Sequence, residues 1–328
     1  MSEIRPDLAA DVYQRIDSEL RKVIVGQNEV LMGLMVSLFA NGHCLLIGVP
    51  GLAKTLIVKS LADVLGLNFN RIQFTPDLMP SDIVGSEILR EIPGGGMEFK
   101  YEEGPVFTNL LLADEINRTP PKTQAALLES MQERAVTISG ETRPLPSPFL
   151  VVATQNPIEH EGTYPLPEAQ LDRFMFSLNL NYPSHAEEAD IVRKTTIGTQ
   201  ESLSPVVSRE ELLAVQSLVR DVPVSDHIIN YAVALATATR NLDGTTPEVS
   251  KKYLEWGAGP RASQYLVLGA KALALLLGKA APEATDVRSV ATAVLQHRVV
   301  ANYRATGEGR NTSDIVTELV KTVPEPSY

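Results

Sequence analysis

Residues 48–55 read GVPGLAKT: Gly48, Pro50 and Gly51 set a turn, and Lys54 and Thr55 follow it at the start of a helical pattern. Apart from Ala53, this is the spacing of a phosphate-binding loop, G-x-x-x-x-G-K-S/T. Such a loop aims the backbone N–H groups of a helix N-terminus at phosphates, sets the lysine on the β- and γ-phosphates and offers the threonine hydroxyl to Mg2+. The candidate nucleotide-binding stretch is therefore Gly48, Pro50, Gly51, Leu52, Ala53, Lys54, Thr55 and Leu56. Ala53 stands where the pattern has glycine. If that position has right-handed helical dihedrals, the extra methyl costs little; if it needs a positive φ, alanine is disfavoured.

Residues 110–115, LLLADE, are an apolar run ending in two adjacent carboxylates. Asp114 can hold the water shell of a metal, and Glu115 can orient and deprotonate an attacking water. Alone, such a pair reads as a strand followed by a solvated acidic turn. The phosphate loop upstream, in the same alternation of strand and helix, makes the chemical reading the stronger one. A further apolar run ends VVATQNP, which places Asn156 to hydrogen-bond a γ-phosphate or the water attacking it, although Asn-Pro is also an ordinary loop signal.

These residues need a frame. Apolar runs at 43–48, 70–75, 109–114, 149–154 and 174–180 alternate with helical patterns, as in a parallel α/β sheet buried on both faces. Two helices precede the first run: Leu8, Val12, Ile16, Leu20 and Val23 recur at helical spacing, and Glu29 to Asn41 closes on Asn41-Gly42. Residues 87–107 and 136–149 each carry β-type residues around a turn and read as inserted hairpins. Beyond Tyr182-Pro183 the strand signals stop, and Ser208 with Glu211 forms a capping box that opens a helical series reaching Val323. The expected organisation is an α/β nucleotide-binding domain over 1–183, a linker or hinge over 184–204 and an all-α domain over 205–328. The most apolar helix, Arg261 to Gly278, is interrupted by Lys271 and reads as a bundle helix.

The chain has 328 residues, 44% of them hydrophobic, enough for two domains with a substantial core. Its net charge of −11 repels nucleic acid unless basic residues cluster, and no cluster is evident in the sequence. Cys44 lies in an apolar run and reads as a core residue; His43, His160, His185, His227 and His297 lack metal-ligand spacing. No N-terminal signal and no uncharged apolar stretch of about 18 residues is present, so a cytoplasmic protein without a membrane span is expected.

GVPGLAKT, LLLADEINRTPPKTQAALLESMQER, ATQNPIEHEGTYPLPEAQLDRF and GPRASQ, in that order, resemble the MoxR family of AAA+ ATPases over nearly the whole chain. The family commonly carries alanine at the position of Ala53. The resemblance implies ATP and Mg2+ as cofactors, with Lys54 and Thr55 on phosphate and metal, Asp114 and Glu115 as the Walker B pair, and Asn156 as the first sensor. It implies an arginine supplied by a neighbouring subunit, with Arg173 in LDRF the candidate and Arg118 its rival. Arg261 in GPRAS matches the second sensor, expected to reach the γ-phosphate of its own subunit and to couple nucleotide state to a hinge near residues 182–205. Val25 and Gly26 match the segment that contacts adenine. The hairpins match the helix-2 insert and pre-sensor-1 insert of the clade that also holds magnesium-chelatase motor subunits, and the tip Pro93 to Met97 is a candidate substrate contact.

The activity so implied is ATP hydrolysis in a homo-oligomer, a hexameric ring, that remodels or matures partner proteins, among them proteins with a von Willebrand factor A domain. A chelatase-type motor subunit and a nucleotide-gated scaffold with little hydrolysis are the alternatives. The hairpin tips, IPGGGMEFK and SGETRPLP, are nearly neutral and do not suit a nucleic-acid motor.

Overall fold

The computed structural model describes residues 6–91, 96–158, 162–196, 201–241 and 246–326. Helices α1 (Pro6–Leu20) and α2 (Asn28–Phe39) lead into β1 (Cys44–Ile47), α3 (Lys54–Leu65), β2 (Phe69–Gln73) and the short α4 (Pro80–Val84). The first insert follows as β3 (Gly85–Glu91) and β4 (Met97–Glu103), then β5 (Leu110–Asp114) and α5 (Pro121–Glu133). The second insert, β6 (Ala135–Ile138) and β7 (Glu141–Pro144), precedes β8 (Leu150–Gln155), α6 (Glu168–Leu171) and β9 (Phe176–Asn179).

All five expected runs form strands of one parallel sheet in the order β2-β5-β8-β1-β9. Successive side chains leave a strand on opposite faces, which sorts the core into two layers. Cys44, Leu46, Leu110, Leu112 and Val152 face α1, α2 and α3, whereas Leu45, Leu111, Ala113, Val151 and Ala153 pack with Leu127, Leu128 and Met131 of α5. Cys44 is a buried free thiol, its pKa pushed up to about 12 by burial.

Both inserts are antiparallel hairpins, and they touch. Ser139 Oγ donates to Glu87 at 2.9 Å, and the Arg143 guanidinium lies 4.3 Å from the centre of the Tyr101 ring. Pro93, Gly94 and Gly95 of the first tip lie outside the described residues, as does His160; Met97 is exposed.

The segment expected as a linker holds a three-turn helix, α7 (His185–Thr196), none of whose residues is buried; residues 197–200 are outside the described set. Next come α8 (Arg209–Asp221), α9 (Asp226–Ala238), α10 (Glu248–Tyr253), α11 (Pro260–Leu276), α12 (Ala284–Leu295), α13 (Tyr303–Gly307) and α14 (Thr312–Thr322). Ser208 and Glu211 cap α8 reciprocally, as their spacing predicts. Lys271 is buried because its ammonium donates to the Arg220 carbonyl at 2.8 Å, in the last turn of α8, where a cation satisfies an orphan carbonyl. Among the described residues this layer departs from the all-helical expectation in one place, a two-stranded ribbon of β10 (Leu254–Trp256) and β11 (Val300–Ala301). Strands of two and three residues are too short to leave a periodic signal.

The helical layer and the sheet share one core. Phe176 and Leu178 of β9 are buried in the same cluster as residues of α2, α11 and α12. Glycines allow the approach: a methyl on Gly33 of α2 would sit 2.6 Å from Leu178 Cδ2, and one on Gly269 of α11 would sit 3.1 Å from Phe176 Cζ. Among the described residues no helix is long and apolar enough to cross a membrane.

Candidate functional site

The phosphate loop leaves the C-terminal end of β1 and enters α3. Gly48 is buried against Leu180, where a Cβ would meet that residue's own at 2.9 Å. Gly51 has φ +87° and open space where a side chain would be. Pro50 is exposed and Leu52 buried, anchoring the loop. Ala53 caps α3 with φ 57° and ψ 24°. It is left-handed, so the condition under which its methyl would be free of strain is not met. Lys54 donates to the Gly48 carbonyl and lies back over the loop, with Thr55 beside it in the first turn of α3.

Asp114 ends β5 and is buried. Its Oδ1 accepts from the Thr154 hydroxyl at 2.6 Å, and its Oδ2 takes Arg71 Nη2 at 2.7 Å and Nε at 3.1 Å. Thr154 also accepts the Glu115 N–H at 2.8 Å, so one hydroxyl on β8 fixes both members of the acidic pair. Glu115 is itself left-handed, φ 57°, a strained conformation of the kind that gathers at functional sites. Its Oε2 accepts from Gln73 at 2.7 Å and from Arg118 at 3.0 Å. Arg71 in turn donates to Gln73 Oε1 at 2.5 Å. Both carboxylates are thus held by side chains from β2.

Asn156 follows β8. Its Oδ1 accepts from Ile158 N–H at 3.2 Å, while its buried Nδ2 has no partner among the described residues. A buried donor without an acceptor costs free energy; one set beside two carboxylates at the sheet edge suits an oxygen-rich ligand. That orphan donor, the open space at Gly51 and the hydroxyl and carboxylate of Thr55 and Asp114 fit a nucleotide with Mg2+, whose remaining ligands would be phosphate and water. Arg71, Gln73 and Thr154 belong to this site, and the sequence reading did not name them.

Val25 and Gly26 line a cleft of about 290 Å3 at the C-terminal end of β9, with Asn179, Tyr182 and Glu187. Gly26 has φ +68°, and a methyl there would lie 2.4 Å from Glu187 Oε1. Leu56 lines a cavity of about 500 Å3 with Lys59, Arg193 and Lys194, and the last two also line a cavity with Val25 and Gly26, so the two spaces adjoin.

Arg173 and Arg261 are brought together, but elsewhere. With Arg134, Tyr265, Asn41 and His43 they line a cleft of about 150 Å3. Asn41 and His43 precede β1 and Arg173 precedes β9, so this cleft sits at the N-terminal ends of the strands, opposite the phosphate loop. The expectation that Arg261 reaches its own subunit's γ-phosphate is therefore corrected. The cause is packing: α11 lies against α1, α2 and β9, and Asp172 holds Arg261 Nη1 at 3.1 Å and buried Arg298 Nε at 2.8 Å. Arg118, the rival, stays on the phosphate-loop side through its pair with Glu115.

Comparison with known proteins agrees with this frame. Residues 43–176 match the ATPase family associated with various cellular activities (AAA), and residues 247–319 match the AAA lid domain. The chain is 45% identical to the chaperone MoxR1 of Mycobacterium tuberculosis over 97% of its own length and 84% of that protein. It is 43% identical to the YeaC protein of Bacillus subtilis, over 94% of this chain and 92% of that one. A crystal structure of a Cytophaga hutchinsonii protein, 40% identical, superposes with a TM-score of 0.90 over 98% of this chain and 97% of that one. With its parallel sheet, phosphate loop, acidic pair and helical lid, the chain belongs to the MoxR family of AAA ATPases.

Proposed function

We propose that the chain hydrolyses ATP with Mg2+ in a ring of identical copies and uses the cycle to remodel partner proteins. The observation that carries the hydrolytic reading is the Asn156 Nδ2 donor, without a partner among the described residues, beside Asp114 and Glu115 at the edge that bears the phosphate loop. Thr55 and Asp114 would hold Mg2+, which when bound neutralises charge on the phosphate oxygens. Lys54 leaves the Gly48 carbonyl for phosphate. Asn156 donates its free N–H to the γ-phosphate or to the attacking water. Glu115, released from Gln73 and Arg118, orients that water and takes its proton.

Arg173 and Arg261 stand at the far edge of the sheet from their own phosphate loop, and this supports their serving the nucleotide of a neighbouring copy. An arginine facing the developing γ-phosphate charge contributes orders of magnitude in rate. Supplying it in trans makes hydrolysis depend on assembly. The chaperone name of the Mycobacterium relative supports the remodelling role; a hexamer, a von Willebrand factor A partner and the division at 183 and 205 follow the family resemblance.

The test is steady-state ATPase activity per milligram against protein concentration, with Glu115→Gln and Arg173→Ala. Specific activity rising with concentration and lost in both variants is the expected result. Activity flat with concentration and untouched by Arg173→Ala would remove the shared site and move Arg118 forward.

A further inference from the structure

The cleft at the N-terminal ends of β1 and β9 gathers three arginines on a chain whose net charge is −11. Arg134, Arg173 and Arg261 line it, and no aspartate or glutamate does so among the described residues. Asp172, the nearby carboxylate, is already divided between Arg261 and Arg298. The Arg173 guanidinium has no hydrogen-bond or ion-pair partner among the described residues. Arg134 is fixed in place: Nη1 donates to Asn41 Oδ1 and Nη2 to Asn41 O, both at 2.6 Å. Burial, then the like charge of Arg220, lowers its pKa. Three guanidiniums facing a small cavity repel one another unless an anion joins them.

We propose that this cleft is an oxyanion site for a phosphate dianion, with Arg134 as a third guanidinium beside Arg173 and Arg261, and that it is complete within one copy of the chain. Guanidinium forks match the oxygens of phosphate. Because Asn41 and Asp172 already hold two of the three arginines, little ordering is left for the ligand to offset. The phosphate has two sources: the terminal phosphate of a second copy's nucleotide, which rests on the ring reading above, or free phosphate released by hydrolysis. Competition between the two makes released phosphate a brake on assembly. Arg134 also roots the second hairpin, its carbonyl accepting from Leu145 N–H at 2.9 Å, so occupancy acts at the base of β6 and β7.

The first arm uses the full chain carrying Lys54→Ala, to silence its own phosphate loop, without Mg2+ or nucleotide and at a concentration where light scattering gives a monomer. Sodium phosphate is titrated against sodium chloride at equal ionic strength, by calorimetry and 31P line width. One saturable site per chain is expected, weakened at least about tenfold, or 1.4 kcal/mol, by Arg173→Gln and by Arg134→Gln. Arg173→Gln breaks no bond in the structure, so it tests the site without threatening the fold; Arg134→Lys keeps the charge and should bind in between. Absence of saturable binding, or binding indifferent to both substitutions, overturns the proposal even if rings form and hydrolyse ATP.

The second arm follows assembly of the unmodified chain, saturated with a non-hydrolysable ATP analogue, as phosphate is added. Assembly that retreats as phosphate fills the site assigns the neighbour's terminal phosphate as the competing occupant. Assembly that ignores phosphate bound in an arginine-dependent way assigns free phosphate alone; the oxyanion site then stands and the in-trans reading of Arg173 and Arg261 falls.

Discussion

Replacing Ala53 by glycine removes one methyl from an exposed position, so no packing is lost with it. What changes is backbone strain. At φ 57° and ψ 24° an L-residue lies about 1–2 kcal/mol above its right-handed alternative. Glycine is free of that term but surrenders about 0.5–1 kcal/mol more chain entropy on folding. The difference makes Ala53→Gly more stable than the native chain by about 0.5–1 kcal/mol. Urea unfolding of the nucleotide-free protein reads this as a higher midpoint at unchanged slope. Ala53→Val should move the other way by about 1 kcal/mol or more, because a β-branched side chain is poorly tolerated at positive φ. Nucleotide affinity of the glycine variant should be unchanged, since the N–H groups of the loop do not move. A glycine variant less stable than the native chain, or a valine variant equal to it, would mean that position 53 is not held left-handed, and the strain argument would fail.

Three further outcomes follow from the same edge of the sheet and its neighbours. Thr154→Val deletes a fully buried hydroxyl that serves Glu115 N–H and Asp114 Oδ1; denaturation should show a loss of about 2–4 kcal/mol, mostly recovered by Thr154→Ser. Arg71→Gln strips the countercharge from Asp114, whose side chain is 10% exposed, and should cost about 1–3 kcal/mol without nucleotide and less with Mg2+ and nucleotide bound; an equal loss in both states would refute a role for Arg71 as stand-in for the metal. His43 is buried, with its pKa pushed down to about 4 by burial and then by Arg134. Its unfolded form takes up a proton near pH 6.5 and the folded form does not, so stability is full above about 6.5 and falls as pH drops toward 4, by on the order of 3 kcal/mol. His43→Gln should flatten part of that slope, His297, shifted the same way, supplying the remainder.

The strands were legible because parallel strands covered on both faces read as continuous apolar runs, and the candidate site residues sit where such runs stop. Lys54, Asp114 and Asn156 are found this way. Arg71, Gln73 and Thr154 are not, because their roles depend on which strands are neighbours. Gln73 lies opposite Asp114 in the β2–β5 register, and Thr154 follows Ala153, the partner of Ala113 across β5–β8; alternation alone does not set that order. One signal was present: RIQFT alternates, so Arg71 and Gln73 share a face of what proves to be an edge strand. Arg261 shows the converse. Its motif identifies the residue, while its location depends on how α11 packs, which no local pattern carries. The left-handed backbone at Ala53 was likewise hidden, because alanine gives no conformational warning where glycine would.

The shared core of sheet and lid bears on how force could be transmitted. Peeling α11 and α12 from β9 would return Phe176, Leu178 and their neighbours to water at roughly 1.5–3 kcal/mol for each side chain. A few of them already exceed the ~1–3 kcal/mol typical of coupling between sites. Sheet and lid of one chain should therefore move together as one stiff body. In the ring proposed above, compliance would then lie along the seams, where the phosphate loop of one copy would meet the arginines of the next, and a change in the nucleotide at one seam would tilt the two touching hairpins as a single lever.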